Sequence, residues 1–260
     1  MSILAAMDDK TAQMLSQLTR EFYGEVAASF SATREAPWQG WQRVADEVGP
    51  LADGASLKIL DLACGNLRFE RFLADSFPHA HLDAFACDEC DSLAAVADTP
   101  GITVHYQHLD VMEALYAGSD LSELLDVWGC DLAASFGFMH HVPEPKYRKD
   151  ILNALVDAVR PGGLIALSFW QLSHSPRLLK KAREVTAWAS EQWGLEGLDK
   201  GDYLLGWQNR SDVLRYCHDF TEGEVDALVA ATSPAACEVA RYSADGKGGN
   251  LNRYLILKRL

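Results

Sequence analysis

Apolar residues recur at three- and four-residue steps through residues 3–31. Leu15, Leu18, Phe22, Val26 and Phe30 fall on one face, which predicts an amphipathic helix. The period breaks over Thr33–Trp38, because the residue before Pro37 disfavours helix. A second helix is predicted from Gln39 to Val48, ended by Gly49-Pro50. From Leu57 onward the pattern changes to short apolar runs separated by helical stretches. Leu57–Ala63, His81–Asp88, Ile102–Tyr106, Asp131–Phe136 and Leu164–Trp170 read as buried strands. Arg68–Phe77 and Ile151–Val159 read as helices, the second closed by Arg160-Pro161-Gly162-Gly163. Further on, Leu178–Trp193 and Glu222–Ala231 read as helices, the latter with Thr221 as N-cap, and Val239–Tyr242 and Arg253–Leu257 as two closing strands. Strands alternating with helices imply parallel βαβ units, hence an α/β fold around a seven-stranded, mostly parallel, doubly wound sheet.

At 260 residues with 48% hydrophobic content the chain has ample material for one large core. We expect residues 1–50 to form a helical lid segment and residues 51–260 a single domain, the two making one structural unit. No run of 18 apolar residues marks a membrane span, and the first residues lack a basic stretch before their short apolar run, so a cytoplasmic location is expected. The six cysteines show no disulfide framework. Cys87 and Cys90 form a CxxC without the second pair that a zinc site needs, so no metal is expected there. The net charge of −14 counts against a nucleic-acid binder acting unaided, and neither DNA nor a membrane is expected as a partner.

The candidate chemistry begins at Asp61-Leu62-Ala63-Cys64-Gly65-Asn66-Leu67-Arg68-Phe69, between a strand and a helix. A glycine there lets backbone approach a ligand closely, and the helix start offers unpaired N–H groups. Asp88 ends the next strand, where an acid suits a ribose with two free hydroxyls. A nicotinamide dinucleotide would require G-x-G-x-x-G around its pyrophosphate, and this loop has only Gly65. Asp61 would repel a pyrophosphate but is able to pair with an amino group.

This loop resembles motif I of class I methyltransferases that use S-adenosylmethionine (SAM), which have a Rossmann-like fold. Asp88 sits where that family keeps its ribose acid. Asp110-Val111 resembles the acid and apolar pair that flanks adenine, and Arg160-Pro161-Gly162-Gly163 resembles the family's turn after a helix. The resemblance implies SAM as cofactor, contacted by Asp61, Ala63, Cys64, Gly65, Asn66, Asp88, Asp110, Val111 and Phe136.

Three further stretches extend beyond the general fold. Phe22–Trp38 contains Tyr23, Ala27, Phe30, Ser31, Thr33, Arg34, Pro37 and Trp38 at the spacing Y-x-x-x-A-x-x-F-S-x-T-R-x-x-P-W. Phe136–Pro143 contains His140-His141, and Arg215-Tyr216-Cys217-His218-Asp219-Phe220 lies near the end. Together they resemble the tRNA wobble-uridine carboxymethyl methyltransferases, with Cys217 in place of a second tyrosine and Gly206-Trp207 in place of Pro-Trp. The resemblance implies methyl transfer to a carboxylate oxygen, with Arg34, Arg215 and His141 as catalytic candidates. It implies Tyr23, Trp38, His140, Tyr216 and His218 as acceptor-binding candidates, and a small zinc-ribbon activator protein as a partner. A carboxylate is ionised at pH 7, so no general base is required. Arg34 has an alternative role as a helix cap or surface ion pair, and Tyr23, Phe30 and Trp38 as core. Two adjacent histidines after a strand are expected to point to opposite faces, which argues against a metal between them. The acceptor stays open between tRNA, favoured by the Tyr23–Trp38 motif, and a small metabolite or natural product, favoured by the acidic charge.

Overall fold

The computed structural model describes residues 7–33, 36–52, 56–93, 101–208, 210 and 212–260. Strands β1 (Ser56–Leu62), β2 (His81–Asp88), β3 (Ile102–His108), β4 (Cys130–Ser135) and β5 (Val159–Trp170) pair in parallel. β6 (Asp202–Gly206) and β7 (Leu214–His218) form a separate antiparallel hairpin. β8 (Ala236–Ala244) and β9 (Asn252–Arg259) complete the main sheet, whose order is β3-β2-β1-β4-β5-β9-β8. β9 runs antiparallel to both β5 and β8. The seven-stranded, mostly parallel, doubly wound sheet is therefore as the residue pattern implies.

Side chains alternate across the sheet. Leu57, Ile59, Leu164 and Ala166 face helices α2 (Trp41–Val48) and α3 (Arg68–Ser76), meeting Trp41, Val44, Phe69 and Leu73. Leu60, Leu62, Ile165 and Leu167 face the other layer, where α6 (Pro145–Ala158) and α8 (Glu222–Ala231) bring Ile151, Leu155, Val225 and Leu228. In α8, Thr221 and Glu224 form a reciprocal capping box, so the expected N-cap is present.

The remaining helices are α1 (Asp9–Ser31), α4 (Val111–Tyr116), α5 (Leu121–Leu125) and α7 (Pro176–Trp193). α1 starts at Asp8, whose carboxylate accepts Thr11 N–H at 2.7 Å. It packs onto the hairpin, with Ala12 and Leu15 against Leu204, Leu214 and Tyr216, and Phe22 and Val26 against Val213.

The structure differs from expectation in several elements. α6 begins six residues before Ile151, with Pro145 in its first turn, because a polar first turn hides the helical period. Arg160–Gly163 is a bulged start of β5 rather than a free turn: the register shifts between Cys130 and Leu132. A Cβ on Gly163 would meet Asp131 O at 2.9 Å, so only glycine allows that close approach. The hairpin, α4 and α5 are additional elements, too short to show a period; the two helices begin with Asp110 and Asp120 as side-chain N-caps.

Candidate cofactor and acceptor site

A cavity of about 160 Å³ opens at the carboxyl ends of β1, β2 and β4. Its floor is Asp61, Ala63, Cys64, Gly65, Asn66 and Asp88. Asp110, Val111 and Met112 close one side, and Phe136, Gly137, Phe138 and His141 the other. Thr19, Arg20, Tyr23 and Phe30 of α1 overhang it, together with Trp38 and Trp41. All nine cofactor candidates line this cavity, as do Tyr23, Trp38 and His141 among the acceptor-side candidates. Arg34 lies outside the described residues.

The loop after β1 is shaped by backbone bonds across to β2. Ala63 and Cys64 N–H both donate to Cys87 O, at 2.8 and 3.1 Å. Gly65 N–H donates to Asp88 Oδ2 and Cys90 N–H to Asp88 Oδ1, each at 2.8 Å. The chain turns through positive φ at Ala63 (63°), Gly65 (56°) and Leu67 (56°). A Cβ added at Gly65 would meet nothing within 4 Å. With Gly65 lining the cavity, a side chain there would occupy the space that a ligand needs.

The floor is acidic, with Asp61 and Asp88 buried in it. Burial pushes the Asp61 carboxyl well above the usual carboxylate range, helped by Glu70 and Asp88. Burial also raises Asp88 and pushes Glu70 up to about 7. Asp110 caps α4, accepting Glu113 N–H at 2.8 Å, and its other oxygen pairs with Arg20 of α1. This pair ties the overhanging helix to the start of α4. Two acids deep in the floor suit a ligand with an ammonium group and a ribose diol. SAM offers both, so the residues present fit it.

On the opposite wall, the Tyr23 hydroxyl lies 2.9 Å from His141 Nε2, while His141 Nδ1 lies 2.6 Å from Tyr216 O. A carbonyl only accepts, so Nδ1 carries the hydrogen and Nε2 accepts from Tyr23. Burial and the nearby Arg215 guanidinium hold the imidazole down to about 3, keeping it neutral. Arg215 Nη1 donates to the same Tyr23 oxygen at 3.1 Å. Arg215 does not line the cavity; it is buried behind Tyr23, among the rings of Phe22, Tyr23, Phe30 and Trp170 at 4.8–5.9 Å. Among the described residues its Nε has no hydrogen-bond partner and no carboxylate lies within ion-pair distance. Burying a cation without a counter-charge is costly, and the aromatic faces offset part of that cost. Trp207 closes this corner: its indole N–H donates to Ser29 Oγ at 3.1 Å and its ring lies 5.2 Å from Phe30.

His140, Tyr216 and His218 do not line the cavity. His140 stacks on Trp170 at 4.2 Å, with the rings 7° from parallel. The two histidine rings lie 4.0 Å apart rather than on opposite faces, because Met139–His141 is a 3₁₀ turn and not a strand. They approach Cys217 so that one ligand atom from each lies within 4.8 Å of the others. Both His141 nitrogens are already bonded, burial pushes the Cys217 thiol up to about 11, and the Arg215 cation stands beside it, which makes the trio a poor cation site. Tyr216 and His218 belong to a buried network. Asp202 Oδ1 accepts from the Tyr216 hydroxyl at 2.6 Å and bonds His218 Nδ1 at 2.7 Å, while His218 Nε2 meets Glu224 at 2.7 Å. Despite burial, bonds from His218 and Thr221 hold Glu224 down to about 2. This network fastens the hairpin that carries Arg215.

Cavity residues that sequence reasoning did not single out include Arg20, Trp41, Arg68 and Phe69. Arg68 lies over Trp41 and Trp38, 4.9 and 5.4 Å from the ring centres. Glu70, beneath the floor, was also missed; its signal is an acid between Phe69 and Leu73 on a helix face that is otherwise apolar.

No protein-family profile matches the chain. It is similar to a tRNA (carboxymethyluridine(34)-5-O)-methyltransferase of Arabidopsis thaliana, 26% identical over 184 residues, which is 70% of this chain and 40% of that protein. It is also similar to the mouse enzyme of the same name, ALKBH8, 25% identical over 152 residues, 58% of this chain and 20% of that protein. The chain thus spans less than half the length of these relatives. Among solved structures, 1,6-didemethyltoxoflavin-N1-methyltransferase of Burkholderia thailandensis superposes with a TM-score of 0.59 at 18% identity, over 95% of this chain and 89% of that one. Magnesium protoporphyrin IX methyltransferase of Synechocystis superposes with a TM-score of 0.57 at 12% identity, over 93% and 98%. The first of those structures contains 1,6-didemethyltoxoflavin and S-adenosylhomocysteine, the second S-adenosylhomocysteine. The chain has the fold of class I SAM-dependent methyltransferases.

Proposed function

We propose that this protein is a SAM-dependent methyltransferase that acts on a carboxylate oxygen. The observation that carries the reading is Arg215, a buried cation with no carboxylate partner among the described residues, bonded to the cavity wall at Tyr23. An anion at that wall would face this cation across Tyr23, with no carboxylate of the described residues paired to it. The tRNA methyltransferases similar to this chain support the same chemistry.

In this reading Asp61 takes the cofactor's ammonium group, Asp88 its ribose, and Asp110 with Val111 flanks the adenine. When bound, SAM supplies an electrophilic methyl group. The protein aligns and shields. Asp88 fixes the β1 loop through Gly65 and Cys90, and α1 with Trp38 and Trp41 covers the cavity as a lid and excludes water. Tyr23, held by His141 and Arg215, sets the acceptor wall. Arg34, which belongs to the same sequence motif as Tyr23, is a second candidate to hold the carboxylate. No proton leaves the acceptor, so neutral His141 orients Tyr23 and is not a base.

The wobble-uridine carboxymethyl group of tRNA is the acceptor that the relatives support. A small carboxylate is the second reading, favoured by the net charge of −14. It is favoured too by Arg20 and Arg210 on the lid side, each matched by carboxylates of Asp110 and Glu113 or of Glu25 and Asp212. Under the tRNA reading a basic activator protein supplies the missing affinity. The test incubates the protein with methyl-labelled SAM and extracts of cells lacking it. Label in nuclease-sensitive tRNA supports the first acceptor, label in the small-molecule fraction the second, and label in neither contradicts the activity.

A further inference from the structure

Glu70 has no role in the chemistry described so far. It sits in the first turn of α3, fully buried, and neither of its carboxyl oxygens meets a donor among the described residues. Its neighbour is Asp61, 3% exposed at the end of β1, with the two carboxyls in hydrogen-bonding contact. Two buried carboxylates in contact repel each other, so the arrangement favours one proton shared between them. Asp61 is the member that lines the cavity.

We propose that Asp61 and Glu70 form one proton-sharing carboxyl pair that receives the α-ammonium group of the cofactor and gives up its proton to solvent in doing so. Glu70 acts through Asp61 and is a positioning residue. The inference rests on the cofactor reading above. The cation of the ligand replaces the proton: charge in the floor stays balanced, and the released proton passes to buffer. Burial pushes both carboxyls up, Glu70 to about 7, which places the exchange in the neutral range. The other groups facing the pair do not take its place. Asp88 is held by two backbone N–H groups. The Cys64 and Cys87 thiols are driven far up by burial and stay neutral. Arg71, beside Glu70 on α3, pulls Glu70 down.

The test is calorimetric titration of S-adenosylhomocysteine at pH 6.5 in buffers of different ionisation enthalpy. At that pH the ligand's amino group is charged, being below the α-amino range of about 7.7–8.0. The wild-type protein is expected to release about half a proton or more per ligand bound. Its affinity should tighten from pH 5.5 to 7.5, by up to roughly tenfold per pH unit. Glu70→Gln should release no proton and lose that pH dependence. Binding to wild type without proton release, or release that persists in Glu70→Gln and so belongs to Asp61 alone or to Asp88, overturns the inference alone. If Glu70→Gln does not fold, the wild-type pH dependence decides the matter. Failure of the wild type to bind the ligand at any pH overturns the cofactor reading, and this inference with it.

Discussion

Tyr23 and His141 are joined by a hydrogen bond of 2.9 Å across 118 positions of sequence, linking the overhanging helix to the turn after β4. The same hydroxyl accepts from Arg215 at 3.1 Å. One phenol thus connects α1, the turn after β4 and the hairpin at the wall where the acceptor is proposed to bind.

The charge of Arg215 and its bond to Tyr23 are separable. Arg215→Gln removes both and is expected to lower kcat/KM by roughly 10–150-fold, the equivalent of 1.5–3 kcal/mol for a hydrogen bond to a charged group. Arg215→Lys keeps the charge but not the planar fork, and should fall between wild type and Arg215→Gln. Steady-state kinetics on the identified acceptor checks the order of the three proteins.

His141 is held down to about 3 and its Nε2 is occupied by Tyr23. The pH–rate profile should therefore show no histidine limb between pH 5.5 and 8.5 once cofactor is saturating. Stability should respond differently. The native state stays unprotonated at His141 while the unfolded chain gains a proton below about 6.5, so stability is lost as pH falls, by up to about 1.4 kcal/mol per unit. Denaturant titrations of wild type and His141→Asn from pH 7 to 5 should diverge in that direction.

Gly65 and Asp88 test the cofactor side. Gly65→Asp keeps a residue type that tolerates positive φ and should fold, yet it fills open space in the cavity, so S-adenosylhomocysteine binding should be lost. Asp88→Ala removes a carboxylate that holds Gly65 and Cys90 N–H and should weaken binding by about 1.5–3 kcal/mol. Unchanged calorimetric affinity in both variants would refute the assignment.

Ala63 adopts φ 63°, where an L-residue costs about 1–2 kcal/mol. Ala63→Gly relieves this but loosens the unfolded chain by about 0.4–1 kcal/mol. The net expectation is a gain of about 0.5–1 kcal/mol, read as a higher denaturant midpoint with unchanged slope.

The main sheet was legible because its strands are buried on both faces and stand between amphipathic helices. That Asp61, Gly65, Asp88 and Asp110 line one cavity was legible because they stand in loops at strand ends. The hairpin was not, since Asp202–Gly206 and Leu214–His218 are five-residue strands whose partners lie in α1, nearly 200 residues away. Arg215 was foreseen as a ligand of the acceptor, but that Tyr23 stands between it and the cavity depends on how α1 docks. Glu70 was missed although it stands on the apolar face of α3 between Phe69 and Leu73, because its neighbour Asp61 comes from a different element.

The most direct test of carboxylate methylation is the chemistry of the product. After transfer of a labelled methyl group from SAM to the acceptor, mild alkali should release the label as volatile methanol, because only a methyl ester is cleaved under those conditions. Label that stays with the acceptor in alkali would mean methylation at nitrogen or an ordinary hydroxyl, and would contradict the role assigned to Arg215.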